Sequence, residues 1–335
     1  MTRHRLTCVN RLFIAVLLLG LVAGCGGDPK KDEASYSFAV IGDLPYSDRD
    51  LDDMSGWVKD INKADPAFTV HVGDVKSGPA DCGDRYFAKI RHEFDKFENG
   101  LIYTPGDNDW TDCHLKDAGE FDPLERLDAL RELMYPKPGT SLGDHPLKMQ
   151  SYLSDGFPEN VTFSRDGVRF AVVHLVGSDN GLLPWKDLGE DKPTAAAKVE
   201  QQARTNNAVL VLRDAFRAAG ANGDRAVVVL TQANLFRDDV RTDLLRPVVQ
   251  ELIDAADRFN GQVVLVNGDT HEYVEGDHPL EQGSPWLAKY DVNGSADELT
   301  QVVTEGDKSA DKGWIEFTVD TTKKEPISWE LHKYH

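Results

Sequence analysis

Short apolar runs alternate with longer amphipathic runs along most of the chain, beginning at Tyr36. The apolar runs predict buried strands at 36–42, 67–73, 101–105, 168–176, 226–231 and 262–268. The amphipathic runs predict helices at 48–63, 84–97, 194–219 and 241–259. Because helices alternate with strands that are apolar almost throughout, the pattern favours an α/β fold with a mostly parallel sheet covered on both faces.

The C-terminal part of the chain has a different pattern. Short candidate strands follow one another there without long helices between them, at 271–275, 299–304, 313–319 and 326–332. This indicates an antiparallel extension or a second sheet. Two segments rich in proline, glycine and aspartate, 111–160 and 177–193, are expected to form loops over one sheet edge, where binding groups are common.

The beginning of the chain has the pattern of an export signal. A basic stretch, 1–11, precedes an apolar run, 12–24, that is too short for a confident membrane span. The run ends in Val-Ala-Gly before Cys25, which resembles a bacterial lipobox and implies cleavage before a lipidated Cys25. A plain secretory signal and an uncleaved anchor are the alternatives.

These features divide the chain into a signal peptide at 1–24, a lipidated cysteine with a polar tether at 25–35, and one domain at 36–335. They predict a protein outside the cytoplasm that contacts the membrane through its lipid anchor only. Gly26 is not the aspartate often associated with retention in an inner membrane. The outer membrane is therefore favoured where one exists.

Composition supports a globular domain and narrows its partners. Of the 335 residues, 40% are hydrophobic and 28% are charged, which excludes a disordered, collagen-like or multi-span membrane protein. Lysine and arginine number 37 against 57 aspartates and glutamates, so the formal net charge is −20. Because nucleic-acid binding depends on a basic surface, no nucleic-acid-binding surface is expected. The sequence leaves the oligomeric state open.

Cysteine usage agrees with export. Cys8 lies in the signal and Cys25 is the lipid site, which leaves Cys82 and Cys113 in the domain. One remaining pair in an exported domain predicts a disulfide. The alternative is a zinc site, although the C-x-x-C spacing typical of such sites is lacking.

Four of the apolar runs end in Gly-Asp, at Asp43, Asp74, Asp107 and Asp269. In a parallel sheet the carboxyl ends of the strands share one edge, where α/β folds bind ligands. Four carboxylates in one crevice repel one another unless cations or protons intervene. The pattern therefore favours a divalent metal site, and the alternative is ordinary turn formation by glycine and aspartate.

The order of these motifs resembles that of calcineurin-like metallophosphoesterases. The matching residues lie within about 36–280 and are Asp43, Gly73-Asp74, Gly106 to Asp109, and Gly268 to His271. A ten-residue string, Pro105 to His114 (PGDNDWTDCH), is similar to a motif of an exported branch of that family. The resemblance implies a calcineurin-like phosphoesterase domain, a four-layer α/β/β/α sandwich with metals at the strand ends.

The sequence departs from the family pattern at several metal-site positions. Pro45 stands where the first histidine is expected, and Gln232 replaces a lone histidine after a later strand. Asp107 replaces a metal-binding asparagine, and Asn108 replaces the histidine that usually protonates the leaving group. Asp269 replaces the first histidine of the last motif.

The resemblance implies a ligand set when it is carried over position by position. One ion would be held by Asp43, Asp74 and His271. A second ion would share Asp74 and would also be held by Asp107, Gln232 and Asp269. Because the second set is entirely oxygen, one or two ions of Mn²⁺, Mg²⁺ or Ca²⁺ are favoured over Zn²⁺.

The resemblance also implies a function. It is that of a lipid-anchored, extracytoplasmic phosphoesterase that hydrolyses phosphate mono- or diesters through a metal-bound hydroxide. Asn108 could hydrogen-bond a phosphoryl oxygen, and His114 is the candidate replacement for the missing acid. A missing general acid lowers rates by about 10²–10⁴-fold. The alternative is a catalytically degenerate lipoprotein that binds a divalent ion or a phosphorylated ligand.

Overall fold

Residues 35–309 and 312–335 are described by the structure, which is a computed structural model. The predicted signal peptide, the lipid site at Cys25 and all of the tether except Ser35 lie outside those residues. Within the described residues, no helix combines the length and the apolar character needed to cross a bilayer.

One sheet has five strands in the spatial order β12-β11-β1-β2-β3. These strands are β1 (Ser35–Ile41), β2 (Phe68–His71), β3 (Gly100–Tyr103), β11 (Gly313–Asp320) and β12 (Ile327–Lys333). β1, β2 and β3 are parallel, whereas β11 is antiparallel to β1 and β12 is antiparallel to β11. The carboxyl ends of β1, β2 and β3 therefore lie at one edge.

A second sheet has seven strands in the order β4-β5-β6-β7-β8-β10-β9. They are β4 (Gln150–Tyr152), β5 (Phe157–Arg165), β6 (Val168–Val172), β7 (Ala226–Leu230), β8 (Gln262–Asn267), β9 (Val274–Asp277) and β10 (Leu299–Val303). The middle strands β6, β7, β8 and β10 are parallel, and the flanking pairs are antiparallel.

The helices are α1 (Asp48–Ala64), α2 (Asp84–Phe94), α3 (Pro123–Met134), the short turn α4 (Gly177–Gly181), α5 (Ala195–Asn222), α6 (Thr242–Asp257) and α7 (Pro285–Tyr290). Local sequence explains where α1 begins and which face it buries. The Ser47 side chain accepts the N–H of Asp50, and Met54, Val58 and Ile61 recur at helical spacing on the buried face. Short 3₁₀ helices lie at Thr111–His114, Leu153–Asp155 and Lys186–Leu188.

The two sheets pack face to face, with helices on the outer face of each. Phe38 of β1 lies between the sheets, where its ring stacks with those of Phe68 and Phe317 at centroid distances of 5.1 and 4.8 Å. Phe170 of β6 meets the same ring edge-on at 5.2 Å. α1, α2 and α3 cover the five-stranded sheet, and α5, α6 and α7 cover the other. The predicted four-layer α/β/β/α sandwich is therefore confirmed.

The prediction of a loop over 111–160 is wrong for much of that segment. Helix α3 lies within it, where the Asp122 side chain caps the first turn and Pro123 begins the helix. Strand β5 also begins within it, although the strand contains the charged Glu159. This side chain is fully buried and pairs with Arg131 of α3 at 2.6 Å. The ion pair with Arg131 thus compensates the buried charge of Glu159. That charge is the reason why the segment was not predicted as a buried strand.

The expectation of one sheet covered by helices on both faces is also wrong, because the parallel strands divide between two sheets. The last two predicted strands form an antiparallel extension of the five-stranded sheet, which was one of the two predicted alternatives. β11 is antiparallel to β1, and β12 is antiparallel to β11. The strand expected at 271–275 begins later, as β9. A buried strand has the same apolar pattern whether it packs on a helix or on a sheet, so periodicity alone could not decide the layers.

Candidate metal centre

Four aspartates meet at the carboxyl ends of the strands, where Asp43 follows β1, Asp74 follows β2, Asp107 follows β3 and Asp269 follows β8. The N–H of Asp269 donates to both carboxylate oxygens of Asp43, at 3.0 and 3.1 Å. The Gln232 side-chain nitrogen donates to Asp74 at 3.2 Å and to Asp107 at 2.8 Å. The structure therefore brings the four carboxylates into one cluster.

Glycines allow the carboxylates to approach this closely. A Cβ atom on Gly106 would lie 2.0 Å from an Asp74 carboxylate oxygen, and one on Gly268 would lie 2.4 Å from an Asp43 oxygen. Both distances are far inside van der Waals contact, so an alanine at either position would displace the carboxylate. The glycines before Asp107 and Asp269 thus make room for the carboxylates of Asp74 and Asp43.

Several site residues have a left-handed backbone conformation. The φ angles are 55° at Asp43, 57° at Asp74, 75° at Asp269 and 62° at His271. Such conformations cost a non-glycine residue about 1–3 kcal/mol and persist where the surrounding structure holds them. Their clustering at one edge of the two sheets is typical of a functional site.

Asp43, Asp74 and His271 have the geometry of a cation site. One ligand atom of each lies within 4.8 Å of the others, and no other trio of histidine, cysteine, aspartate or glutamate in the described part of the chain does so. The Nδ1 atom of His271 is buried and has no hydrogen-bond partner. The other ring nitrogen, Nε2, lies 3.7 Å from an Asp43 carboxylate oxygen. A histidine nitrogen beside buried carboxylates fits a divalent cation, which would neutralise their charge.

Burial and mutual repulsion favour the protonated form of these carboxyl groups. Burial raises the pKa of Asp43 and of Asp74 well above the ordinary value of 3.8, and neighbouring negative charges raise both further. Burial and the charge of Asp107 raise the pKa of Asp269 to about 7, although Arg237 opposes the shift. A cation binding here would therefore displace protons.

At Asp107 and Asp269, hydrogen-bond donors already contact the carboxylates. The Ser178 hydroxyl donates to Asp107 at 2.6 Å. The Arg237 guanidinium donates to Asp269 at 2.9 Å, and the backbone N–H of Asn234 donates to its other oxygen at 3.1 Å. Neither Ser178 nor Arg237 lies in a recognisable catalytic motif, so their contacts with the aspartates could not be predicted from the sequence.

Tyr46 also lies at the site and has no counterpart in the sequence analysis. Its hydroxyl donates to an Asp74 oxygen at 2.9 Å and accepts from the Asn108 side-chain amide at 2.7 Å. The Asn108 backbone N–H donates to the other Asp74 oxygen at 3.0 Å. Tyr46 and Asn108 therefore orient Asp74. The only sequence feature that could have pointed to Tyr46 is its position three residues after Asp43.

Asp109 and Lys76 support the loops of the site. The Asp109 carboxylate accepts the backbone N–H groups of Asp74, Val75 and Gly106 at 2.9, 2.8 and 2.7 Å. Lys76 is fully buried, and its Nζ atom donates to the backbone carbonyl of Asn108 at 2.8 Å. Both side chains hold the backbone that carries Asp74 and Asp107.

Cys82 and Cys113 form a disulfide, with their Cα atoms 5.6 Å apart, so this prediction is confirmed. The bridge joins the loop after Asp74 to the loop after Asp107. It therefore restricts two segments that each carry a carboxylate of the cluster.

His114 is buried beside the disulfide. Its Nδ1–H donates to the backbone carbonyl of Thr111 at 2.9 Å. Among the described residues, no hydrogen bond or ion pair joins this ring to the four aspartates of the cluster. Its role as a proton donor stays a prediction.

A cleft of about 290 Å³ opens beside Asp107 and Asp269. Its wall includes Arg237 and Arg241, together with an apolar portion formed by Val176, Leu183, Val240 and Leu245. The wall also includes Asp179 and Asp239, so four carboxylates there face two guanidinium groups. An anionic ligand with an organic part would therefore need a bound cation as well as the arginines to offset the negative charge.

No protein-family model matches the sequence, and no curated protein matches it. Among solved structures, a dimetal phosphatase from Danio rerio is 10% identical, with a TM-score of 0.51 over 90% of this chain and 99% of that one. A purple acid phosphatase from yellow lupin, Lupinus luteus, is 13% identical, with a TM-score of 0.43 over 90% of this chain and 52% of that one. At 10% identity the first likeness is one of fold. The chain therefore has a fold of the metallophosphoesterase type.

Proposed function

We propose that this chain is a divalent-metal-dependent phosphoesterase acting on phosphate mono- or diesters. The observation that carries the proposal is the trio of Asp43, Asp74 and His271, which offers three ligand atoms within 4.8 Å of one another. The cleft that contains Arg237 opens beside Asp107 and Asp269 of the same cluster. The predominance of oxygen donors favours Mn²⁺, Mg²⁺ or Ca²⁺ over Zn²⁺. The fold supports this proposal only as background, because one fold can host many activities.

In the proposed reaction, Asp43, Asp74 and His271 would hold the ion, which supplies Lewis-acid stabilisation and lowers the pKa of water. Tyr46 keeps the Asp74 carboxylate in place through its hydrogen bond. The Arg237 guanidinium lines the cleft, where its permanent charge would stabilise a phosphoryl oxygen. The apolar wall of the cleft would receive the organic part of the ester.

Esters whose leaving group needs no proton are expected to react fastest. The Asn108 amide donates to Asp74 and Tyr46, and an amide cannot protonate a leaving oxygen. We expect kcat/KM for p-nitrophenyl phosphate to exceed that for glycerol phosphate by about 10²–10⁴-fold with saturating Mn²⁺. A ratio below about tenfold that rises in a His114→Ala variant would instead establish His114 as the acid.

The replacement of the proton-donating histidine by Asn108 favours a second candidate function. This is a lipoprotein that binds a divalent ion or a phosphorylated ligand without turnover. Hydrolysis of p-nitrophenyl phosphate and its bis-ester can be compared with an Asp74→Ala baseline while the ion is varied. Ion-dependent stabilisation without turnover above that baseline would support the binding function and rule out the phosphoesterase function.

We further propose that the chain is anchored outside the cytoplasm through a lipid on Cys25, supported by the basic stretch and the apolar run that precede it. When the full chain is expressed in a bacterium, we expect a labelled fatty acid to be incorporated. Cys25→Ala should lose this label and move from the detergent phase to the aqueous phase. Cys8→Ala is the matched control and should keep the label. Equal labelling of the Cys25→Ala variant and the wild type would contradict the anchor.

A further inference from the structure

The part of the cluster that the family resemblance assigns to a second ion is surrounded by protein donors. Both oxygens of Asp107 accept hydrogen bonds, one from Gln232 Nε2 at 2.8 Å and the other from Ser178 Oγ at 2.6 Å. Both oxygens of Asp269 accept as well, one from Arg237 at 2.9 Å and the other from a backbone N–H at 3.1 Å. A second cation would have to share these oxygens with the positive ends of four donors.

The orientation of the Gln232 amide is fixed by its partners. Its oxygen accepts the backbone N–H of Gly177 at 2.8 Å, and its nitrogen lies between Asp74 and Asp107. The reversed amide would place an oxygen against two carboxylates and an NH₂ group against an N–H. The side chain is fully buried, so water cannot relieve those contacts. Gln232 therefore presents a donor, and an amide nitrogen does not coordinate a cation.

The Arg237 guanidinium is held in place on one side and faces Asp269 on the other. Its Nε and Nη2 atoms donate to the two oxygens of Asp239, at 2.6 and 3.0 Å. Its Nη1 atom donates to Asp269, and the side chain lines the cleft beside the cluster. A bidentate partner fixes the plane of a guanidinium, and its charge does not titrate. Arg237 thus provides a permanent positive charge at this end of the cluster.

We propose that the chain binds a single divalent ion, at Asp43, Asp74 and His271, and that Arg237 with Gln232 takes the place of a second ion. Arg237 would then contact a phosphoryl oxygen of the substrate from the cleft. The ion count does not depend on catalysis, whereas the role toward substrate rests on the proposed phosphoesterase function. The ligand set predicted from the sequence had included Asp107, Gln232 and Asp269, with a shared Asp74, as ligands of a second ion. The proposal removes the first three from the ligand set.

The number of ions is tested without substrate. Full-length protein freed of ions with EDTA is titrated calorimetrically with Mn²⁺, and bound metal is counted by elemental analysis after gel filtration. We expect one ion per wild-type chain and two in a Gln232→His/Arg237→Met variant, because two of the four donors have been removed and a ligand added. Arg246→Met is the matched control, since Arg246 is an exposed arginine that pairs with Asp291, and it should bind one ion.

Two ions in the wild type would overturn the proposal, whether or not the double variant folds. One ion in a folded double variant would also overturn it, because the donors would then not be what excludes the second ion. No bound ion in the wild type would overturn both this proposal and the metal dependence. One bound ion with no turnover would contradict the phosphoesterase function alone and leave the ion count supported.

The role of Arg237 toward substrate is tested with inorganic phosphate and the Mn²⁺-loaded protein. Arg237→Met should weaken phosphate binding by about 10–100-fold, because a charged hydrogen bond is lost. Arg237→Lys keeps the charge but loses the planar fork, so it should weaken binding less. Both variants should keep Mn²⁺ affinity within threefold of the wild type, and Arg246→Met should leave both affinities unchanged. Phosphate binding within twofold of the wild type in Arg237→Met would overturn this role.

Discussion

Replacing Asp74 with asparagine is expected to abolish ion-dependent stabilisation and to lower kcat/KM for p-nitrophenyl phosphate by at least about 10³-fold. Asp74 lies at the centre of the cluster, where its oxygens accept from Tyr46, Asn108 and Gln232 and lie within reach of His271. Asparagine has nearly the same shape but lacks the charge, so the ion loses a ligand without a large change in packing. The measurements are turnover with saturating Mn²⁺ and the ion-induced shift in melting temperature.

The matched control for this substitution is Asp144→Asn. Asp144 also follows a glycine, but it is exposed and lies near the amino end of β3, where its N–H donates to the Phe97 carbonyl, and not at the carboxyl ends of the strands. It should keep both the turnover and the ion-induced shift of the wild type. If Asp74→Asn retained turnover within tenfold and a normal shift, Asp74 would not be a ligand and the proposed centre would be wrong. Circular dichroism of each variant separates loss of the site from loss of the fold.

The affinity for Mn²⁺ is expected to rise at least about 100-fold between about pH 5.5 and pH 7.5. Burial and neighbouring charges raise the pKa of Asp43 and Asp74, and they raise the pKa of Asp269 to about 7. In the ion-free protein the cluster therefore stays protonated at pH values far above 3.8, the ordinary pKa of an aspartate. Each proton that the ion displaces makes binding about tenfold tighter per pH unit while that proton is still bound.

The sign of the linked stability change follows from the direction of these shifts. A carboxyl group with a raised pKa contributes stability that is fully present below its unfolded pKa and is lost as the pH rises through the folded pKa. As the pH rises to about 7, the ion-free protein should therefore lose the stability that protonated Asp269 contributes. Binding of the ion should restore the lost stability. Burial lowers the pKa of His71 to about 4, which acts in the opposite direction below its ordinary value of 6.5. His71 is not among the proposed ligands, so we expect its contribution to cancel when ion-free and ion-loaded protein are compared.

Calorimetric titrations in buffers with different ionisation enthalpies count the protons released on ion binding. We expect at least one proton at pH 5.5 and fewer at pH 8, with Asp144→Asn behaving as the wild type does. An affinity that changes less than threefold across this range would show that the cluster is already ionised without the ion. The electrostatic account of the centre would then be wrong.

Much of the fold could be predicted because the strands and long helices are encoded locally. The helices predicted at 48–63 and 241–259 correspond to α1 and α6, and their predicted boundaries are within two residues of the observed ones. The missed helix α3 had a local signal too, the Asp122-Pro123 start, inside a segment whose polar composition favoured a loop. Strand β5 had no such signal, since the partner that allows Glu159 to be buried lies on another element.

The sequence by itself determined which residues could meet at the site. Chain order fixes the residue that follows each strand, and parallel strands carry those residues to one edge, so Asp43, Asp74, Asp107 and Asp269 could be found without coordinates. The sequence also favoured a disulfide between Cys82 and Cys113, the two cysteines of the predicted domain, and the structure confirms it.

Only the tertiary structure decided what surrounds those aspartates. Gln232 donates to a carboxylate 158 residues away, and Asp269 donates to one 226 residues away. The placement of Arg237 against Asp269 likewise depends on how two loops pack. A residue type specifies what a side chain can donate or accept, but packing decides which partner it meets. The orientation of the Gln232 amide and the position of the Arg237 guanidinium are therefore properties of the folded chain. Both bear on how many ions the centre holds.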